Sequence, residues 1–489
     1  MRSHHVIYRT IAVAMITLLC GRIAAAEVKT DVKADPVTRQ LALDVFKQLI
    51  EINTSDSVGS VTAASEAMAQ RLRVAGFPES DIHVLGATDR TKNLVARLRG
   101  SGKRKPVLLI GHLDVVEARR EDWTTDPYEF VVKDGFYYGR GTQDMKDGVA
   151  IMVATLIRMK QEGYRPDRDI ILALTAGEES GLDNGVAWLG KNRRDLIDAE
   201  FVLNHDGSDV LKENGKAVYI RIGASEKVYA DFQLTVTNPG GHSSIPVPDN
   251  AIYDLAAGLE RLARHEFPFE LNDVTRAYYE RTAGSTSAER GADIRAMLQT
   301  PPDSAAVERL SRDRIDHSMT HTTCVATRLE GGHANNALPQ MARANVNCRI
   351  LPGHSAEETR QALVTVLADA KIIVRYVGEN GQILENAESK HGMAMPALRP
   401  DVMSALAKVA GTMWPGVPIV PSMATGASDA VYASAAGLST YEVNGVAVDR
   451  DNMRQHGKDE RLGIEDFNRA VDFYYPFLKA VISYHGKAR

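Results

Sequence analysis

A chain of 489 residues is long enough for more than one domain and for a large buried core, so nothing in its size calls for stapling by disulfides. Hydrophobic residues make up 44% and charged residues 25%, the balance of an ordinary globular protein. The net charge of −5 and the lack of a long basic stripe argue against nucleic acid as a partner.

The N-terminus reads apart from the rest. Arg2 and Arg9 precede an apolar run from Ile11 to Cys20, and Ala24-Ala25-Ala26 follows as a small-residue cleavage site. This is the pattern of a secretory signal peptide over residues 1–26, cut between Ala26 and Glu27. The run is too short to cross roughly 30 Å of hydrocarbon, and no later stretch predicts a transmembrane helix. Export to a periplasm or to the outside is the expectation, with no stable membrane span after cleavage. Leu19 is too bulky to make Cys20 a usual lipidation site. There is no C-x-x-C pair to suggest cysteine-bound zinc.

Residues 37–51 and 61–75 predict amphipathic helices. Apolar strands follow at 93–98, 106–111, 169–175 and 200–204, with a helix at 148–160 between two of them. Short apolar strands alternating with helices predict an α/β domain with a mainly parallel sheet, and ligands bind at the carboxyl ends of such strands. The middle of the chain differs. Strands are expected at 217–223 and 228–237, a helix at 250–264, strands at 321–330 and 342–351, a helix at 356–369 and a strand at 372–377. That order suits an antiparallel sheet with helices on one face, inserted into the first domain. A polar, mainly helical segment, 265–320, interrupts it, and the α/β pattern resumes near 390 to end in a helix at 464–484. The expected division is a catalytic domain built from 27–215 and 391–489, with an inserted domain at 216–390.

Acidic and histidine residues gather where strands end. They are His112 and Asp114 in GHLDVV, Asp144 in GRGTQDMKDG, Glu178 and Glu179 in TAGEESG, Asp206 in NHDG and His456 in RQHGKDE. Each alone reads as a surface pair. Together they supply imidazole and carboxylate donors, which suit zinc and related divalent metals. No G-x-S-x-G nucleophile motif accompanies them. Glu178 and Glu179 are interchangeable on residue type, His205 is as plausible a ligand by type as Asp206, and Asp147 and Asp209 read as surface carboxylates.

The run GHLDVV, W-x-x-D-P-Y…D-G-x-x-Y-G-R-G-x-x-D-M-K and A-G-E-E-S-G, continued by GGHSSIP, GGHANNALPQ…R-I-L-P-G and TGASDA, closely resembles the M20 metallopeptidase family. The stretch H-T-T-C-V-A-T…G-G-H-A-N-N-A-L-P leans toward its carboxypeptidase S-like branch. The resemblance implies a zinc-peptidase-like α/β domain with an inserted α+β, ferredoxin-like lid. It also implies two divalent metal ions, Zn2+ by expectation with Co2+ or Mn2+ as alternatives. Asp144 would bridge the metals, His112 and Asp206 would complete one site, and Glu179 and His456 the other. Glu178 would be the general base, and Asp114 would hydrogen-bond the far nitrogen of His112. His242 would donate to the carbonyl oxygen as charge develops there. Asn336 matches a polar position of the family, and Arg349 its anchor for a terminal carboxylate, a task suited to a bidentate guanidinium. Gly426 and Ser428 would serve the same substrate end.

The implied activity is hydrolysis of a small peptide or an N-acyl amino acid near a free carboxylate. A dipeptidase or aminopeptidase stays open, because Asp206 stands where some carboxypeptidase-type relatives carry Glu. A silent binding protein is the third reading, and the full ligand set with Glu178 argues against it. In many relatives the inserted domain pairs two chains, and the lid histidine reaches the partner's active site. A homodimer is therefore expected, although the 265–320 segment departs from the short-lid pattern and could replace the partner's contribution. Cys324 and Cys348 are equidistant from Asn336. A hairpin centred there would let them form a cross-strand disulfide, with two small buried apolar side chains as the preferred reading.

Overall fold

Residues 36–181, 183–206, 210–378, 381–387 and 398–483 are described by the structure, a computed structural model. The expected signal peptide with Cys20, and Asp209, lie outside them. At the centre of a ten-stranded sheet, Arg104–His112 runs parallel to Arg168–Thr175 on one side and to Phe201–Asn204 on the other. Val107 to Ile110 are all buried, as a strand covered on both faces requires. Successive side chains point to opposite faces, so Val107 and Leu109 enter one apolar core and Leu108 and Ile110 another. The larger core holds the helices Pro36–Ile50, Lys146–Gln161 and Ile464–Ile482, and the smaller one receives Val186, Leu189 and Ala433. Gly111 lets Lys146–Gln161 come close: a Cβ there would lie 2.7 Å from Met152 Cε and 2.8 Å from Met145 Cε. No helix among the described residues is long and apolar enough to cross a membrane.

A second sheet has five strands in the order Thr323–Gly331, Met341–Ile350, Val228–Thr237, Ile373–Val377, Ile383–Leu384, each pair antiparallel. Helices Ala251–Ala263 and Ala356–Leu367 share its apolar core. Both begin at side-chain caps, Asn250 in the first and a reciprocal Ser355–Glu358 box in the second. One expectation is corrected here. The strand foreseen at 217–223 with the inserted sheet is Lys216–Glu226 of the ten-stranded sheet, where it pairs in parallel with Ile419–Ala424. Its Ile220 and Ile222 join the large core. Local pattern cannot reveal a partner that lies far along the chain, and the smaller sheet therefore starts at Val228.

The 265–320 segment is helical, with Asp273–Thr282, Ala288–Met297, Ser304–Ser311 and Arg314–Thr320. It is tied to both sheets. Val274 packs with Ala224, Leu351 and Met423, Arg281 donates to the Ile419 carbonyl at 2.9 Å, and buried Lys227 donates to the Ser318 and His321 carbonyls at 2.8 Å each. Cys324 and Cys348 stand opposite each other in the register of neighbouring strands and are bonded. The preferred reading of two free buried thiols gives way to the cross-strand disulfide.

Candidate metal centre

The register of the central strands assembles the site. His112 ends its strand opposite Thr175, and Ile110 lies opposite Asn204. The chain beyond Thr175 delivers Glu178 and Glu179 to one side of His112, and the chain beyond Asn204 delivers Asp206 to the other. Asp144 comes from the loop before Lys146–Gln161, and His456 from the loop after the strand Ala447–Asp449. His112 Nε2 lies 3.0 Å from Asp144 Oδ1 and 3.9 Å from Glu178 Oε2. His456 Nε2 lies 3.1 Å from Asp144 Oδ2 and 3.0 Å from Glu179 Oε2. Donor atoms fall within 4.8 Å of one another in three sets: His112, Asp144 and Asp206; Asp144, Glu179 and His456; and His112, Glu178 and Glu179. Asp144 is common to the first two, with one oxygen toward each histidine.

The electrostatics of this cluster call for cations. Burial pushes Asp206 up to about 7, helped by the charge of Asp144. Burial also pushes Glu178 well above the usual carboxylate range; His112 opposes this, while Asp206, Asp429 and Glu179 add to it. Burial acts on Asp144 too, but hydrogen bonds to His112 and His456 overcome it and hold Asp144 low. Those to Asp144 and Glu179 raise His456 to about 10. Protons here occupy the place of positive charge among crowded acids. Glu179 Oε1 is buried with no hydrogen-bond partner among the described residues. This nitrogen and oxygen donor set fits divalent metals such as zinc.

Asp114 does a different job from the expected one. The neighbour of His112 Nδ1 is the backbone carbonyl of Asp114, at 3.0 Å, while the carboxylate is 3.8 Å away. That carboxylate instead accepts the backbone N–H groups of Glu178 and Glu179, at 3.3 and 3.0 Å. It thereby orients both glutamates, and burial pushes it up to about 6. His205 belongs to none of these donor sets. Its ring lies 5.3 Å from that of Tyr474, and a Cβ on Gly148 would lie 2.2 Å from its Nδ1. Burial pushes His205 down to about 3, so it is neutral. Asp147, expected at the surface, is 3% exposed in the buried first turn of Lys146–Gln161, and burial pushes it up to about 8. A cavity of about 110 Å³ opens beside Asp144 and Asp206, lined also by Gln143, Asp147, Asn444 and Gln455.

Sequence reasoning passed over the residues that brace these ligands. Glu460 is fully buried and accepts the backbone N–H groups of Gln143, Asp144 and Gly141 at 2.7, 3.2 and 3.3 Å, and the guanidinium of buried Arg140 at 2.5 Å. It shapes the loop that presents Asp144. Asp429 accepts from Thr175 Oγ1 at 2.7 Å and Asn184 Nδ2 at 2.6 Å behind the Glu178 turn. The signals were faint: Glu460 lies four residues after His456 in RQHGKDE, and Asp429 lies within TGASDA.

The residues expected to touch substrate divide. His242 is exposed on the short strand Gly241–His242, which pairs with Ala337–Leu338, and the Ser243 N–H donates to the Asn336 carbonyl at 3.0 Å. His242 and Asn336 are thus neighbours at a short two-stranded ribbon distinct from the five-stranded sheet. The Ser244 N–H donates to His242 Nδ1 at 3.1 Å. Arg349 stands with its guanidinium 4.6 Å from the Tyr229 ring centre, close enough to Glu178 and Glu226 to feel their charge. Gly426 is exposed. Ser428 is not available to a substrate. It is 7% exposed, and Glu226 takes its N–H at 3.0 Å and its hydroxyl at 2.5 Å.

The model of peptidase family M20/M25/M40 matches residues 108–480, and the chain belongs to that family. It is 27% identical over 390 residues to a probable carboxypeptidase S-like 2 of Dictyostelium discoideum, covering 78% of this chain and 72% of that protein. It is 25% identical over 394 residues to the N-fatty-acyl-amino acid synthase/hydrolase PM20D1 of Mus musculus, covering 78% and 75%. Among solved structures it resembles the M20 family metallo-carboxypeptidase Sso-CP2 of Sulfolobus solfataricus with a TM-score of 0.67. That match is 18% identical in sequence and covers 90% of this chain and 99% of the other. The α/β fold with a largely parallel central sheet is therefore that of M20 peptidases.

Proposed function

We propose that this chain hydrolyses an amide bond next to a free carboxylate, in a small peptide or an N-acyl amino acid, with two divalent cations, zinc by preference. One observation carries the carboxylate part. Among the described residues no carboxylate lies within ion-pair distance of Arg349, and its guanidinium rests over the Tyr229 ring near Glu178. An arginine without an acidic partner beside a hydrolytic centre is suited to a bidentate anionic ligand. The names of the carboxypeptidase S-like and N-fatty-acyl-amino acid relatives support the same substrate classes.

His112 and Asp206 would hold one cation, Glu179 and His456 the other, and Asp144 would reach both. When bound, such cations polarise a carbonyl and acidify water. Glu178 takes the proton of the attacking water and passes it to the leaving nitrogen. Asp114 holds the backbone of Glu178 and Glu179 in place. His242 donates to the carbonyl oxygen, and Arg349 holds the carboxylate end.

A panel of N-acyl amino acids and dipeptides, each with a free or an amidated C-terminus, tests this reading. Free-acid substrates are expected to be cleaved far faster, and Arg349→Ala should remove roughly 2–5 kcal/mol of that preference. Equal rates on both series, or equal losses in the variant, would give Arg349 a structural role instead.

A further inference from the structure

The strand Val228–Thr237 turns Val228, Ala230, Phe232, Leu234 and Val236 into the core and leaves Tyr229 44% exposed. In Met341–Ile350 the alternation places Arg343, Asn345, Asn347 and Arg349 on the uncovered face. The register sets Tyr229 directly opposite Arg349, and side chains so paired are the closest neighbours across a sheet. The guanidinium accordingly lies 4.6 Å from the ring centre. The far end of the ring is braced, since the Tyr229 hydroxyl donates to Asp231 Oδ2 at 2.5 Å. The other oxygen of Asp231 accepts from Asn345 Nδ2 at 2.9 Å and Asn347 Nδ2 at 3.0 Å. Three donors therefore occupy the acid on this face best placed to capture Arg349. A buried cation, Lys227, stands nearby with its ammonium on two backbone carbonyls, and it feels the charge of Arg349.

From this network we propose that Tyr229, braced by Asp231, is the positioning residue for Arg349 and sets the affinity for the substrate's free carboxylate. The inference rests on the reading of Arg349 given above. A guanidinium held against an aromatic face is ordered before the ligand arrives and keeps its N–H groups for a carboxylate. Asp231 has two effects: it fixes the ring, and its engaged oxygens leave the arginine uncommitted.

The test uses the metal-loaded full chain and four proteins: wild type, Tyr229→Leu, Tyr229→Phe and Arg349→Ala. For a free-acid substrate, Tyr229→Leu is expected to raise KM roughly ten-fold with kcat changed less than about two-fold, the mark of lost uniform binding. KM for the matching amidated substrate should not move. Tyr229→Phe, which keeps the ring but loses its brace, should fall between wild type and Tyr229→Leu. Adding Tyr229→Leu to Arg349→Ala should cost nothing further, because Tyr229 acts through Arg349. The proposal is overturned if Tyr229→Leu leaves the free-acid KM unchanged, if both substrates suffer alike, or if Tyr229→Phe is as damaged as Tyr229→Leu. A harmful Arg349→Ala with a harmless Tyr229→Leu refutes only the role of Tyr229. A harmless Arg349→Ala refutes the carboxylate anchor itself.

Discussion

Removing divalent cations should cost this protein more stability the higher the pH. Asp114 shows why. Its burial raises it from 3.8 to about 6, so the folded protein keeps a proton that the unfolded chain has released. For a carboxyl shifted this way, stability falls as pH rises between the two values, and the penalty is complete above the upper one. At ~1.4 kcal/mol per pH unit, that one group costs about 3 kcal/mol at neutral pH. Asp206, raised to about 7, acts in the same direction and over a higher range. His456, raised from 6.5 to about 10, stabilises fully below 6.5 and loses that contribution as pH climbs toward its folded value. Cations in the centre favour the charged carboxylates and the neutral imidazoles, and so lift the two carboxyl penalties and take over from the proton on His456 as pH rises. Groups away from the centre, such as Lys227, lowered to about 7, titrate in both forms and cancel in the difference. The assay is thermal melting with chelator and with added zinc, cobalt or manganese, from about pH 5 to about pH 8.5. The gap between metal-loaded and metal-free Tm should widen with pH by on the order of a few degrees or more. A gap that stays constant or narrows would refute the reasoning.

Two further outcomes follow from the geometry around Asp144 and the paired glutamates. Glu178→Gln keeps the side chain's shape and removes its basicity, so kcat should fall by roughly 10²–10⁴ with metal content unchanged. Glu179→Gln should instead lower metal content, measured by elemental analysis, and the opposite pattern would exchange the two roles. Glu460→Gln leaves the Arg140 charge buried without its carboxylate and sets an amide N–H₂ against backbone donors. A loss of about 3–5 kcal/mol is expected in urea unfolding, together with weaker metal retention through the displaced Asp144 loop. A loss under about 1 kcal/mol would mean that Arg140 finds another partner or water.

The chain order of short apolar strands and amphipathic helices was enough to determine an α/β sheet and a separate antiparallel one, because residues 3.6 or two apart in sequence decide which face is apolar. Predicted strand ends likewise marked His112, Glu178, Glu179 and Asp206, and the resemblance to the M20 family tied Asp144 and His456 to them. Tertiary structure alone decided what lies between these residues. It placed Lys216–Glu226 in the large sheet through Ile419–Ala424, and it packed His205 against Gly148 and Tyr474. It buried Asp147, committed Ser428 to Glu226, and gave the Asp114 carboxylate to two backbone N–H groups. It also joined Cys324 to Cys348 and set Tyr229 beneath Arg349. Each of these depends on the direction of a side chain or the register between segments distant in sequence. Periodicity records which face a residue shares, but the packing of the whole chain decides which atom it meets there.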